Sequence, residues 1–499
     1  MPITTRRGLA METRSGHTTD LNDGSELPPQ RRSSPGPKSA VAAAFAAAAG
    51  ASPRKKAASK RKAGPSFHYE FGGPFGAFMS TLLLPMVVLG LYYACSGDCC
   101  LRPGDRRGDS LACAAAHLPR AIGDVVTQTG CAIFVGWMLF QVALERLLPG
   151  PIAEGVLLRD GTRLPYKLNG HLAFWVSLVI FGHCWPQFDG AGRFTHLGSA
   201  PFAVLYDRFV EIAAAACLFS YLLAAALYAA SLRPSLPAMG LAAPGSSGNP
   251  FYDFWMGREL NPRLGPLDLK FFCELRPGLI GWLMLDIGMA AKQLQEKGAI
   301  SAPMALVVFG QGLYTWDALY HESAILTTMD ITTDGFGFML AFGDLAWVPF
   351  VYATQARYLV SHDPGLPTWA CVALLALQAL GYTIFRGANG QKDAFRRDPA
   401  APAVAHLSWM PTRRGTKLLT SGWWGLARKI NYTGDWLLGL SWCLLTGFAH
   451  PVPYFYATYF AVLLVHRALR DDRACAEKYG ADWAAYKKAV PAMFVPGVV

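Results

Sequence analysis

The chain reads as an all-α, polytopic membrane protein with about ten transmembrane helices behind a disordered basic N-terminal tail, and three observations point there. Charged residues make up only 16% of its 499 residues, while 52% are hydrophobic and 12% aromatic; soluble domains carry roughly 25% charged residues. Apolar runs recur from residue 75 onward, at lengths suited to a hydrocarbon core that takes roughly 20 helical residues to cross. These runs do not alternate polar with apolar, and lipid offers no partner to a free backbone N–H or C=O, so they form helices and not barrel strands.

The tail comes first. Residues 1–65 hold 12 basic and 4 acidic residues, most of the net +11, and leave 66–499 close to neutral. Pro, Ser, Gly and Ala fill this segment, and its alanine run at 42–51 lacks side chains large enough to bury a core, so disorder is expected. The cluster Arg54, Lys55, Lys56, Lys60, Arg61, Lys62 suits a cytosolic flank beside anionic lipid, and contact with nucleic acid needs more assumptions. The Met1 end is polar and resembles no secretory signal, so the first apolar span is expected to act as signal anchor.

The spans follow, near 75–95, 124–146, 170–188, 203–231, 278–292, 301–321, 335–355, 367–386, 433–449 and 452–467. Those after 278 carry His, Asp, Glu, Tyr and Arg. Ionisable groups at membrane depth are costly and face a cavity or a partner, which puts the chemistry in 270–499. The eleven cysteines show neither C-x-x-C pairs nor zinc spacing, so no metal is expected. Cys99, Cys100 and Cys113 share one loop, lumenal if the tail is cytosolic, where a disulfide is permitted but not required. A repeat at 20–50 residues is absent, against a solenoid or a duplicated transporter.

Nucleotide-binding fingerprints are missing: there is no Walker A motif and no strand-turn-helix setting for a Rossmann glycine run. Basic side chains are the natural substitute, since they pair with phosphate oxygens. Lys392 and Arg396 lie four apart; Arg428 and Lys429 precede Asn431, Tyr432 and Asp435 in RKINYTGDW; Arg467 and Asp471 lie four apart in HRALRDD, ahead of Tyr479. Each cluster alone is more often a cytoplasmic helix end, and three together with interleaved Trp and Tyr shift the reading toward an anionic ligand. In QGLYTWDALYHES, the side chains Tyr314, Asp317 and His321 share a helix face, followed by Glu322. That set suits either helix-to-helix pairing or proton supply from a buried carboxyl.

Two stretches, GNPFYDFWMGRELNPR at 248–263 and LVHRALRDDRACAEKYGADWAAY at 464–486, resemble signature motifs of the ergosterol and delta-sterol reductase family. The resemblance runs from about Tyr69 to the C-terminus, and TTMDITTDGFGFMLAFGDLAWVPFVYATQARYLV at 327–360 looks most like the Δ14 branch, which includes the reductase portion of the lamin B receptor. It implies a ten-helix reductase of 66–499 in the endoplasmic reticulum membrane, with the nuclear envelope as a further location, that saturates a sterol double bond with NADPH. Carried over by position, Lys392 and Arg396 would meet the adenosine phosphate; Leu419, Trp424, Asn431, Tyr432 and Asp435 would follow along the nucleotide; Arg467, Asp471 and Tyr479 would complete the set. Tyr314 matches a tyrosine that assists protonation, and Thr333 departs from a histidine of many relatives, which leaves Tyr314, Asp317 and Glu322 as the proton-supplying candidates. The implied chemistry is protonation at C15 of the Δ14 bond and hydride capture at C14. The alternatives are a Δ7 reductase, a lamin B receptor-like scaffold that binds chromatin through the tail, an isoprenylcysteine-type methyltransferase and a transporter.

Overall fold

The structure, a computed structural model, describes residues 67, 69–94, 121–158, 161–190, 192–234, 236–237 and 240–497. The expected disordered tail and the loop with Cys99, Cys100 and Cys113 lie outside the described residues.

Helices dominate. In chain order they are α1 (Gly73–Ala94), α2 (Gln128–Leu147), α3 (Gly170–His183), α4 (Phe209–Ser231), α5 (Pro250–Met256), α6 (Leu269–Leu275), α7 (Pro277–Lys297), α8 (Ala302–Tyr320), α9 (Thr368–Arg397), α10 (Ile430–Leu444), α11 (Phe455–Tyr479) and α12 (Ala481–Ala489). Local signals set their ends. Ser301 accepts a hydrogen bond from the Met304 N–H to start α8, and Asn249 accepts from Phe251 and Tyr252 to start α5. Pro277 occupies the first turn of α7, where its missing N–H costs nothing, and Gly298 at φ 73° stops that helix.

Most predicted spans reappear as helices. The stretch predicted as a span at 335–355 carries a π-helical turn: Phe338–Phe342, the turn at Gly343–Trp347, then Val348–Tyr352 and Thr354–Ser361. Among the described residues, α1, α2, α4 and α9 are long and apolar enough to cross a membrane, and α3 is a shorter apolar helix. Four small antiparallel hairpins depart from the all-α expectation: β1–β2 (Ile152–Glu154, Pro165–Lys167), β3–β4 (Trp185–Phe188, Phe194–Gly198), β5–β6 (Arg263–Leu264, Leu267–Asp268) and β7–β8 (Trp409–Pro411, Lys417–Leu419).

Close backbone approaches lock the rods together. A Cβ on Gly381 would come within 2.9 Å of the Gly434 carbonyl, and one on Gly434 within 2.5 Å of the Phe385 N, so glycines let α9 and α10 touch. The 248–263 segment is welded in the same way, because Gly257, at φ 80°, leaves no room for a Cβ beside the Gly337 N at 2.2 Å. The start of the described chain is tied to its far end: Arg470 on α11 donates through Nε to Glu70 at 2.9 Å, and the Glu70 N–H bonds the Tyr252 hydroxyl at 2.9 Å.

Candidate functional site

Six helical segments send aromatic rings to one place. Trp282 of α7 packs 6.0 Å from Tyr314 of α8, 5.3 Å from Tyr352 and 5.8 Å from Trp442 of α10. Tyr314 stacks on Phe385 of α9 at 6.2 Å and meets Trp442 edge-on at 5.7 Å; Tyr456 of α11 closes the group against Tyr352 at 4.6 Å. Polar bonds fix this wall. Trp282 Nε1 donates to Gln311 Oε1 at 3.1 Å, and Gln311 Nε2 donates to the Tyr352 carbonyl and to Gln355. Gly310 lets Trp442 reach α8, since a Cβ there would stand 2.5 Å from the indole nitrogen. Such a wall suits a flat apolar ligand.

One acidic pair faces these rings. The Tyr314 hydroxyl and the buried Asp435 carboxyl, from α8 and α10, lie within hydrogen-bonding reach of each other. Oδ1 of Asp435 is buried without a hydrogen-bond partner among the described residues. Asp435, read from sequence along the nucleotide, is thus brought to the predicted proton-supplying tyrosine.

The other two candidates keep different company. Asp317 is held by an ion pair to Arg386 of α9 and by the Tyr382 hydroxyl at 2.9 Å, with His321 beside it. It stitches α8 to α9 next to Tyr314, which is the helix-pairing role the sequence left open. Glu322 is not brought to Tyr314. Helix α8 ends at Tyr320, His321 leaves helical geometry at ψ 28°, and the Glu322 carboxylate instead accepts the Gly170 N–H at the start of α3, at 3.0 and 3.2 Å. Burial pushes its carboxyl up to about 7, against the opposing pull of Arg276 and the Gly170 N–H.

The cofactor candidates gather where α9, α10 and α11 end. Lys392 Nζ sits 4.2 Å over the Trp424 ring, whose indole N–H donates to the Ala388 carbonyl at 2.8 Å. Arg396, Lys429 and Asp471 are the charged neighbours of Lys392, and Lys429 pairs with Asp471. Asn431 donates to Asn389 Oδ1 at 3.2 Å, while its own Oδ1 is buried and unpartnered. Leu419, at the end of β8, shares an apolar cluster with Trp424, and Tyr479 stacks near Trp483 at 6.3 Å in the adjoining cluster. Arg467 stands between this group and the dyad, near Tyr432 and Asp435, with its guanidinium 2.5 Å from Asp330. Three cations around one carboxylate, with an aromatic shelf and an orphaned amide oxygen, fit a phosphorylated nucleotide.

Sequence reading passed over Asn389, which sits on the α9 face that also carries Lys392. The three-residue spacing could have found it.

The chain matches the family described as "Ergosterol biosynthesis ERG4/ERG24 family" over residues 65–499. It is 44% identical over 434 residues to the Delta(14)-sterol reductase erg24 of Schizosaccharomyces pombe, spanning 87% of this chain and 97% of that protein. It is 43% identical over 429 residues to the Delta(14)-sterol reductase TM7SF2 of Mus musculus, across 86% and 97% of the two chains. Against the Delta(14)-sterol reductase of Methylotuvimicrobium alcaliphilum identity is 44% over 378 residues, 74% of this chain and 84% of that one.

Proposed function

The chain belongs to the ergosterol biosynthesis ERG4/ERG24 family, and from that membership we propose that it is a Δ14-sterol reductase that uses NADPH to saturate the C14=C15 bond of a sterol intermediate. The observation that carries the reading is the Tyr314–Asp435 pair set against an aromatic wall, one helical layer from the cationic cluster.

The division of labour follows from what each group can do. An unactivated alkene is a poor hydride acceptor until an acid protonates it. Tyr314 is the proton-bearing atom nearest the ring wall, and Asp435 behind it holds and replaces that proton. The aromatic rings exclude water, which protects the electron-poor carbon from capture by solvent. Asp317 and Arg386 fix the height of Tyr314 by joining α8 to α9. NADPH, when bound, supplies hydride to C14. Lys392 and Arg396 would hold its adenosine phosphate, and Leu419, Trp424, Asn431, Tyr432, Arg467, Asp471 and Tyr479 would line the rest of the nucleotide.

The same reading gives residues 66–499 ten membrane crossings in the endoplasmic reticulum, with 1–65 as a cytosolic basic tail. Beyond α1, α2, α4 and α9, the reading takes α3, α7, α8, the 338–361 segment, α10 and α11 as the remaining crossings. Membranes that carry the chain, incubated with a Δ8,14-sterol and NADPH, should lose the conjugated-diene absorbance. Persistence of that absorbance would reject Δ14 activity.

A further inference from the structure

Lys270 stands outside the groups assigned above, yet it is fully buried and all of its donors are in use. Its ammonium donates to three main-chain carbonyls: Asp330 at 2.6 Å, Ile331 at 3.1 Å and Asp334 at 2.7 Å. A lysine has three N–H donors and no acceptor, so nothing remains for a ligand or another side chain. A buried ammonium is costly unless hydrogen-bonded throughout, and here it is.

The position of those carbonyls explains the arrangement. They belong to the short helix Met329–Thr332 and the turn behind it, the end of a helix where carbonyls lack intrahelical partners and a cation is favoured. Lys270 therefore fixes the shape of one segment. The side chains of that segment point to α11. Asp330 Oδ2 lies 2.5 Å from Arg467, and Asp334 takes Arg470 in a two-pronged pair at 2.6 and 2.9 Å. Arg467 is in turn an electrostatic neighbour of Tyr432 and Asp435. A single residue on α6 is thus linked, through main chain, carboxylate and guanidinium, to both halves of the candidate site.

We propose that Lys270 is a positioning residue for the reaction: by wrapping the carbonyls of Asp330, Ile331 and Asp334 it holds the Asp330 carboxylate at the angle that aims Arg467 toward the cofactor. The proposal rests on the reading of Arg467 as a cofactor contact. Lys270 itself touches no reacting atom. Asp330 carries the link in its side chain, and its carbonyl serves Lys270 independently, so the two connections can be cut separately.

Two variants of the full chain test this, Lys270→Met and Asp330→Asn, assayed with NADPH and a Δ8,14-sterol. Asp330→Asn leaves the three bonds of Lys270 intact, because those end on main-chain oxygens, and removes only the charge that holds Arg467. Both variants should raise KM for NADPH about tenfold, the scale of one lost charge-assisted contact, while KM for the sterol stays at the wild-type value. A general loosening of the fold would move both constants together, and that result in Asp330→Asn overturns the proposal. So does a wild-type KM for NADPH in Asp330→Asn. Should Lys270→Met fail to fold, Lys270→Gln takes its place, and a wild-type KM for NADPH in that variant overturns the role of Lys270. A fluorescence titration of the wild-type protein with NADPH separates the two readings: absence of binding sinks the cofactor assignment itself, whereas binding with unchanged KM in the variants sinks only the role of Lys270.

Discussion

Trp282 and Tyr314 lie 6.0 Å apart on neighbouring helices, and the indole is pinned by Gln311, three residues before the tyrosine on the same helix. The Tyr314 ring is therefore held within the wall, with Asp435 among the charged groups that act on its hydroxyl. Tyr314→Phe keeps the ring and removes the proton. It should lower kcat about a hundredfold or more, the usual worth of a positioned acid, with KM for NADPH unchanged. An unchanged kcat would remove Tyr314 from the mechanism.

Asp435→Asn should show the same kcat defect, and the double variant should be scarcely worse than either single one, because the two groups act as a unit. Multiplicative losses in the double variant would mean that they act separately.

Lys392 and Arg396 should affect the cofactor and spare the chemistry. Lys392→Ala and Arg396→Ala should each raise KM for NADPH about tenfold, the worth of one charge-assisted phosphate contact, and change the use of NADH much less. Equal losses with both cofactors would place these cations elsewhere on the nucleotide.

Glu322 gives a pH signature. Its folded carboxyl titrates at about 7 against a reference of 4.5, so between those values the folded state holds a proton that the unfolded state has released. Stability from this group is complete below about 4.5 and is lost as pH rises through 7, on the order of 3 kcal/mol. The melting temperature in detergent should fall over that range, and Glu322→Gln, which still accepts from Gly170, should flatten the fall. An identical pH profile in the variant would contradict this account.

Asp317 and Arg386 form a largely buried ion pair, and removing one partner strands the other. Asp317→Ala should cost about 3 to 5 kcal/mol of stability, visible as a lower melting temperature, and Asp317→Ala with Arg386→Met should recover part of the loss. Failure of the double variant to recover would show that Asp317 does more than stitch α8 to α9.

Much of this site is legible in the sequence. Lys392 and Arg396 declare themselves by their four-residue spacing on one face of α9, whereas Trp424 entered only through the family resemblance. Asp435 was visible, but its role was set by Tyr314, which is 121 positions away, and no spacing rule reaches that far. Glu322 misled because the helical period runs on through His321 while the chain itself turns there. The span at 335–355 is apolar throughout and its composition gives no sign of the π-helical turn at Gly343–Trp347, where α7 packs closely: a Cβ on Gly278 would come within 2.0 Å of the Asp344 carbonyl. Lys270 was illegible, since LKFFCEL reads as an ordinary amphipathic flank and its three acceptors are backbone atoms that sequence does not name.

The bond between Glu70 and Arg470 spans 400 positions. A ribosome adding roughly 5–20 residues per second needs roughly 20–80 s to travel from one to the other. Throughout that interval the segment ahead of α1 is already made and its arginine does not yet exist, so the protein cannot close until α11 leaves the translocation machinery. A chain that stops short of Arg470 therefore lacks Asp471 and Tyr479 of the candidate cofactor site and the latch for its own beginning. The cell would meet it as an open, unfinished membrane protein, and its lifetime would be set by quality control.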